Sequence, residues 1–544
     1  MEKTMIDRRR FIQLGLAAAG GLALEACNRG GPGDTKKTGP PPPPSDLSVP
    51  AARPTVRLGA QEGGFLSPFT YGPGTYSSLI LLYDTLLLED SKEVVQPWLA
   101  SRFDRSPDGL TYTFELRENA KWHDGRPVTA DDVIFSVDYF RSVEENLSPT
   151  VLFHPNFVQR VTASGPRTVV FRLEKPAANF LEETAAAFPI VPKHVWSAVK
   201  DPLEADDPAL LVGSGPFRIE KSNLTTGAAS FVANDDFYLG KPFMKKLEYR
   251  PVDEELIALQ GKEIDGGGPQ VGATTRDALS PFRNDPEYGI ERSDPDFFAA
   301  LLWNLKPGPW TGATSDAKFR KACVLAINRP AMVRRLLGSG LPGNAGFIPE
   351  GHPYYSAEGV EQYPFSVREA NALLDEAGYR RKGGANSLRR TPDGKDLRVR
   401  LLTFPELEPA AIVVRQSLRD VGIAIEFVPS DLFRAVGGGE LKKFEMALQF
   451  FGGLDRDPDY LRTLLASQTQ GPGIFHSLGW TNPEFDDLAE KQLVTLDEAE
   501  RKRLIARMQQ IVSQDLPVMP LYYAPEFFVY RRSVFDHWGG DAQT

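Results

Sequence analysis

Apolar and polar side chains alternate along residues 111–117, and this period of two predicts a half-buried β-strand. Asp124-Gly125 follows and predicts a tight turn, because glycine adopts a positive φ at little steric cost. Thr129 is then placed to cap a helix with Asp131 and Asp132 in its first turn, where the helix dipole favours negative charge. The stretch therefore predicts a strand, a turn and a capped helix, none of which is catalytic by itself.

The pattern later in the chain predicts strands that alternate with helices. Leu397–Leu402 and Ile423–Val428 read as strands, and a helical pattern lies between them. A strand–helix–strand unit implies a parallel pair of strands. Phe444–Phe451 is a further buried strand, so we expect a mixed α/β architecture.

Length and composition set limits on the class of protein. A chain of 544 residues is too long for one ordinary core, so two to four domains are expected. The formal net charge of -10 argues against a nucleic-acid surface. Cys27 and Cys323 are the two cysteines, which cannot build a zinc framework or a disulfide scaffold. Cys323 lies in an apolar helical pattern and is expected to be a buried thiol.

The first 54 residues predict export and tethering rather than a folded core. Arg8–Arg10 precedes an apolar run, Phe11–Leu24, of fourteen residues, which is short for a bilayer and typical of an export signal. This signal resembles a twin-arginine signal, and Leu24–Cys27 resembles a lipobox in which Cys27 is lipidated. Residues 28–54 are rich in proline and are expected to be an extended tether.

The motifs of common enzymes are missing from the sequence. It contains no G-x-S-x-G elbow, no H-E-x-x-H motif and no P-loop, and its six histidines are scattered. Three carboxylates stand close together at Asp455, Asp457 and Asp459. They could serve as a general acid and base, a hard-metal site, a cation-binding loop or a solvated turn. The loop lacks the glycine and glutamate of an EF-hand, so calcium is not favoured.

One long stretch carries a resemblance to a known family. Residues 108–140 read DGLTYTFELRENAKWHDGRPVTADDVIFSVDYF. This stretch resembles the shared motif of the family 5 extracellular solute-binding proteins, which are the peptide- and nickel-binding subunits of ABC importers. Further matches follow in order, including YDTLL at residues 83–87, GSGPF at 213–217 and a helix at 319–329. Together they cover most of the chain after residue 54.

The resemblance implies an α/β, two-lobed periplasmic-binding-protein-like fold with an extra inserted domain and a ligand cleft between the lobes. The implied division is a signal peptide at 1–27, a tether at 28–54, lobe I at 55–85, 200–302 and 518–544, the inserted domain at 86–199, and lobe II at 303–517.

The resemblance also implies ligand-binding residues. Asp455 matches the carboxylate that pairs with the α-amino group of a peptide, whereas Asp457 and Asp459 are expected to be surface charges near a turn. Gln449 stands near the position where oligopeptide binders place an arginine for the ligand carboxylate. The remaining expected ligand contacts are aromatic or lie at the predicted crossing between lobes: Tyr71, Tyr76, Trp303 and Asn304.

The function implied is capture of a peptide outside the cytoplasmic membrane and delivery to an ABC permease. We expect a monomer without catalytic residues, cofactor or metal site, located in the periplasm or on the cell surface and anchored to the membrane by lipid. The alternatives are a nickel chelate or another small solute as the ligand, a secreted hydrolase that uses Asp455 and Asp457, and a tethered sensor that presents its ligand to a receptor.

Overall fold

The computed structural model describes residues 54–60, 68–69, 76–90, 94–142, 157–202, 204–223, 226–268, 275–306, 308, 312–384, 387–429, 444–452, 454, 456–467 and 479–535. These residues belong to two compact units. The first unit holds residues up to 268, residues 285–291 and those from 528 onward, and the second unit holds residues 269–284 and 292–527. The predicted division into lobe I, an inserted domain and lobe II stays a prediction.

The first unit contains eleven strands and four α-helices of its own within the described ranges. The strands are β1 (Thr55–Ala60), β2 (Leu87–Glu89), β3 (Val95–Pro97), β4 (Ala100–Arg105), β5 (Thr111–Leu116), β6 (Val158–Gly165), β7 (Thr168–Leu173), β8 (Phe217–Ser222), β9 (Ala229–Ala233), β10 (Lys246–Pro251) and β11 (Gly266–Gly267). The helices are α1 (Tyr76–Leu82), α2 (Ala130–Ser142), α3 (Lys193–Trp196) and α4 (Glu255–Gln260), with a π-helix at Phe180–Ala185.

Two sheets organise the first unit, beside a short β2–β3 hairpin. In one sheet, β1 pairs in parallel with both β10 and β11, and β9 and β8 continue antiparallel from β10. The other sheet has the strand order β4-β5-β7-β6 and is antiparallel throughout. Tyr112 and Phe114 of β5 are buried, and both rings pack against Phe180. Alternating side chains therefore form the core of this sheet, as the sequence pattern predicts.

The predicted strand, turn and capped helix are confirmed. β5 and α2 have the expected positions, and Gly125 has a φ of 89°. The cap differs in detail, because the Thr129 hydroxyl donates to Asp132 Oδ2 at 2.9 Å instead of accepting from the helix. The same carboxylate oxygen accepts from the Thr129 backbone N–H at 2.9 Å, which is the returning half of a capping box.

The second unit is built on five neighbouring strands of a sheet, together with eight α-helices in its described residues. Its strands are β12 (Tyr288–Trp303), β13 (Leu341–Pro342), β14 (Arg380–Arg381), β15 (Arg389–Arg390), β16 (Arg398–Thr403), β17 (Ala424–Pro429), β18 (Met446–Phe451) and β19 (Val518–Arg531). Its helices are α5 (Thr275–Ala278), α6 (Ala317–Ala326), α7 (Arg329–Leu336), α8 (Val367–Glu376), α9 (Glu408–Asp420), α10 (Tyr460–Leu465), α11 (Pro483–Val494) and α12 (Glu498–Asp515). Strands β12 and β19 also contribute residues to the first unit.

The strand order in the second unit is β17-β16-β18-β12-β19. Strand β16 is parallel to both β17 and β18, whereas β12 is antiparallel to β18. Helix α9 connects β16 to β17, so the predicted parallel strand–helix–strand unit is confirmed. Cys323 is fully buried in α6, as predicted, and burial raises the pKa of its thiol. No helix in the described part of the chain is long and apolar enough to span a membrane.

Candidate ligand-binding site

The second unit places Gln449 within its sheet, opposite Ala300 of β12. The Gln449 side chain is buried, and its Nε2 donates to the carbonyl oxygen of Phe450 at 3.2 Å. Its Oε1 has no hydrogen-bond partner among the described residues. Because a buried acceptor without a donor costs about 1–3 kcal/mol, this oxygen is a candidate to accept a hydrogen bond from a bound molecule.

Aromatic rings occupy the same face of the sheet as Gln449. Residues opposite each other in paired strands share a face, which groups Gln449 with Phe451 and Phe298. Phe298 stacks on Phe451 with ring centroids 5.0 Å apart, and it contacts Phe347 at 5.0 Å. Phe347 is buried with a φ of 75°, which a bulky residue adopts only where its surroundings hold it. The Oε1 atom of Gln449 therefore lies on the same face of the sheet as the packed rings of Phe298 and Phe451.

Trp303 is the last residue of β12 and Asn304 follows it, and both are buried. Trp303 belongs to the hydrophobic core of the second unit, and its Nε1 has no partner among the described residues. Asn304 Nδ2 donates to the carbonyl oxygen of Phe444 at 2.9 Å, and Asn304 Oδ1 accepts from the backbone N–H of Lys306 at 3.1 Å. These contacts tie the end of β12 to the segment that enters β18. A ligand contact by either residue stays a prediction.

Three of the predicted residues and the side chain of a fourth lie outside what the structure describes. Asp455, Tyr71 and Cys27 lie outside the described residues. Tyr76 is the first residue of α1, but its side chain also lies outside what the structure describes.

The expectation for Asp457 and Asp459 is wrong, because both carboxylates are buried in ion pairs. Arg501 donates to both oxygens of Asp457, at 2.5 and 2.9 Å. Arg462 donates to both oxygens of Asp459, at 2.8 and 2.6 Å. Breaking a buried pair of this kind costs about 3–5 kcal/mol, far more than a surface charge contributes. Asp457 is also a poor general acid or base while Arg501 engages both of its oxygens.

Another buried carboxylate, Asp84, lies in the first unit. Its Oδ1 accepts from Trp98 Nε1 at 2.8 Å and its Oδ2 accepts from Ser214 Oγ at 2.7 Å. Burial raises the pKa of Asp84 to about 6, against the lowering effect of these donors. Asp84 of YDTLL thus contacts GSGPF, another of the stretches that resemble the family, and also the side chain of Trp98. Its position, as the acidic residue of an apolar run, was the signal that could have identified it.

His123 braces the same glycine-rich turn from another side. The backbone N–H of Gly213 donates to His123 Nδ1 at 3.2 Å, so the proton sits on Nε2, which donates to the Gly215 carbonyl oxygen at 3.0 Å. Burial lowers the pKa of His123 to about 4, which keeps the ring neutral near pH 7. A Cβ at Gly213 would lie 1.7 Å from the Leu82 carbonyl oxygen, so only glycine fits there. These contacts make the turn a structural element.

Metal ligands are not gathered in the described part of the chain. Within those residues, no three His, Cys, Asp or Glu side chains form a group that could hold a metal ion. His194 pairs with Asp124 at 2.7 Å, and these two side chains are fewer than the three that such a group needs.

Comparison with known proteins identifies the class of this chain. The family model described as "Bacterial extracellular solute-binding proteins, family 5 Middle" matches residues 94–473. The oligopeptide-binding protein AppA of Bacillus subtilis is 25% identical over 85% of this chain and 87% of its own length. The nickel-binding periplasmic protein of Escherichia coli is 23% identical over 85% of this chain and 87% of its own length.

A solved structure has the same fold. The crystal structure of NikA from Brucella suis in complex with Fe(III)-EDTA superposes with a TM-score of 0.77. It covers 89% of this chain and 96% of its own chain at 23% identity. The predicted class of fold, α/β and two-lobed, is confirmed by this likeness.

Proposed function

Because this chain belongs to the bacterial extracellular solute-binding proteins of family 5, we propose that the solute it captures is a peptide. Members of the family are the extracytoplasmic binding proteins of ABC importers, and they bind their solutes without chemical turnover. The peptide is handed to the permease subunits of such an importer. No bond of the peptide is made or broken, so the chain is not an enzyme.

The observation that carries the proposal is the buried amide of Gln449. Its Oε1 can accept a hydrogen bond from a peptide N–H, and the partly exposed ring of Phe451, which stacks on the buried ring of Phe298, offers apolar contact on the same face. The sheet holds this group firmly, so little ordering is needed before a ligand binds. The similarity to the oligopeptide-binding AppA supports the same ligand class.

Asp455 is proposed to pair with the α-amino group of the peptide. It follows β18, the strand that holds Gln449, and a carboxylate that faces an ammonium group forms a strong charge-assisted hydrogen bond. Tyr71, Tyr76, Trp303 and Asn304 are proposed as further ligand contacts.

The test of Asp455 uses the substitution Asp455→Asn, which keeps the shape of the side chain and removes its charge. We expect the binding free energy of a peptide to weaken by about 2–5 kcal/mol, the range for one side of a buried charge pair. Calorimetry with one peptide and its N-acetylated form is the measurement. Wild type should discriminate strongly between the two, and Asp455→Asn should not. Equal discrimination by both proteins would contradict the assignment.

A metal chelate is the second candidate ligand. It is favoured by the similarity to the nickel-binding protein of E. coli. Native mass spectrometry of the protein purified with its carried ligand separates the two candidates by mass. A peptide mass supports the proposal, and a chelate mass with a metal isotope pattern contradicts it.

A further inference from the structure

The two ion pairs after β18 belong to one connected buried network. Gln492 of α11 joins them, because its Nε2 donates to Asp459 Oδ1 at 2.7 Å. Its Oε1 accepts from Arg501 Nε at 3.0 Å and from the second guanidinium nitrogen at 2.9 Å. Arg462 lies in α10 and Arg501 in α12. Three helices are therefore tied to the short segment between β18 and α10.

The network is balanced in charge and fixes the backbone directly. It contains two carboxylates and two guanidinium groups, so it carries no net charge. The backbone N–H of Asp459 also donates to Asp457 Oδ1 at 3.0 Å, which closes a turn inside the segment. The guanidinium of Arg501 lies 5.5 Å from the centre of the Tyr354 ring, which adds a further contact. Burial lowers the pKa of Arg501, but the Asp457 carboxylate more than offsets this and holds the guanidinium charged.

We propose that Asp457, Asp459, Arg462, Gln492 and Arg501 are positioning residues for ligand binding. This inference rests on the proposed function. The network holds the segment that leaves β18 in one arrangement before the ligand arrives, which reduces the cost of ordering it on binding. In this role the network acts through the segment it holds and not by contact with the ligand.

The network also limits the chemical class of ligand. Of the three carboxylates in the sequence Asp455–Asp459, two are neutralised by arginine. Asp455, which is proposed to pair with the α-amino group, is the one other carboxylate in this sequence, and one carboxylate suits a single ammonium group. A bare divalent cation such as Ca²⁺ needs about six or more oxygen ligands and is poorly served by one.

The decisive variant is Arg501→Lys. It keeps the positive charge but loses the bidentate hydrogen bonds to Asp457 and the hydrogen bonds to Gln492. The matched control is Arg503→Lys, because Arg503 is an exposed residue of the same helix that pairs with Glu500 at 2.6 Å. Hydrogen exchange of the ligand-free protein reports on residues 456–460. Native mass spectrometry reports how much of a synthetic library of short peptides, and of its N-acetylated counterpart, each protein retains.

We expect Arg501→Lys to exchange faster in this segment and to lose about tenfold or more in peptide affinity, by analogy with the losses found when residues that support metal ligands are changed. It should also discriminate less between free and N-acetylated peptides. Arg503→Lys should match wild type in all three measurements. If Arg501→Lys keeps wild-type affinity and discrimination, the positioning role is wrong. If wild type retains no peptide, the peptide proposal fails, and the positioning role for a peptide fails with it.

A double variant separates positioning from simple stabilisation. Asp457→Asn with Arg501→Met removes both charges, so it should recover much of the melting temperature that a single unpaired charge loses. We expect its peptide affinity to remain low, because the segment is no longer tied to α12 and α11 through the guanidinium group of Arg501. If affinity returns together with the melting temperature, the network only stabilises the fold, and the inference is overturned.

Discussion

Asp84 and His123 respond to pH in opposite directions although both brace the turn at residues 213–215. The pKa of His123 is lowered from 6.5 to about 4, so the folded state holds the ring neutral. Its contribution to stability is complete above pH 6.5 and is lost as the pH falls towards 4. The pKa of Asp84 is raised from 3.8 to about 6, so its contribution is complete below pH 3.8 and is lost as the pH rises through 6. Between pH 4 and 6 the two effects largely cancel.

Substituting either residue should reveal the pH dependence of stability that the other residue contributes. Relative to wild type, His123→Asn should gain about 2–3 kcal/mol in free energy of unfolding as the pH falls from 6.5 to 4. The wild type loses stability over this range because its unfolded chain protonates the ring and its folded state does not, whereas asparagine does not titrate. Asp84→Asn should lose about 2–3 kcal/mol relative to wild type between pH 6 and 4. Denaturant unfolding of all three proteins at several pH values is the measurement, and subtracting wild type removes the effect of other carboxylates. Parallel curves for the two variants would contradict this account.

The residue scale was also where the sequence was least informative. Their spacing drew attention to Asp455, Asp457 and Asp459, and the family resemblance singled out Asp455, but nothing in the local sequence showed that Asp457 and Asp459 are buried in ion pairs. Asp457 is paired with Arg501, 44 positions later, and Gln492 lies 33 positions after Asp459. Such partners are brought together by tertiary packing, which a reading of local patterns does not capture.

At the scale of elements, prediction worked where one physical rule dominates. Strict alternation placed β5, and the strand–helix–strand order gave the parallel pair β16 and β17. The short hairpin of β14 and β15 had no such signal, since it is rich in arginine. Its position depends on Arg389, which is nearly fully buried although arginine rarely is.

Arg389 links the hairpin to the ends of two helices. It donates to Asp375 at 2.6 Å, to Asn371 Oδ1 at 2.7 Å and to the Val421 carbonyl oxygen at 2.8 Å. We expect Arg389→Lys to lower the free energy of unfolding by about 2–4 kcal/mol, because one ammonium cannot replace a fork of buried donors. Arg390→Lys is the control on the neighbouring residue, which is partly exposed, and should change it by less than about 0.5 kcal/mol. Similar losses in both variants would contradict the role of Arg389.

At the scale of the whole molecule, family membership set the expected class of function, while the ligand depends on side chains that vary within one fold. The motifs of the first half therefore identified the family, yet Asp84, His123 and Gly213 serve structure. Gln449 and Trp303 are the predicted contacts with a structural observation in their favour, because each has a buried polar atom without a partner among the described residues.

Attachment to the membrane is a property of the whole chain and is proposed to depend on Cys27. We expect Cys27→Ala to release the protein from washed membranes, because a single apolar run of fourteen residues is too short to span a bilayer comfortably. Membrane fractionation after a salt wash is the measurement. A variant that stays with the membrane would show that the apolar run itself is the anchor.

The burial of Cys323 has a practical consequence. A chain that begins after residue 27 contains Cys323 as its single cysteine, and burial both shields this thiol and raises its pKa. Maleimide dyes react with accessible thiolates, so they should spare it. A cysteine introduced at the exposed position of Arg456 should then take up one dye per molecule. The protein is thereby suited to become a fluorescent reporter of its own ligand without removal of a native cysteine.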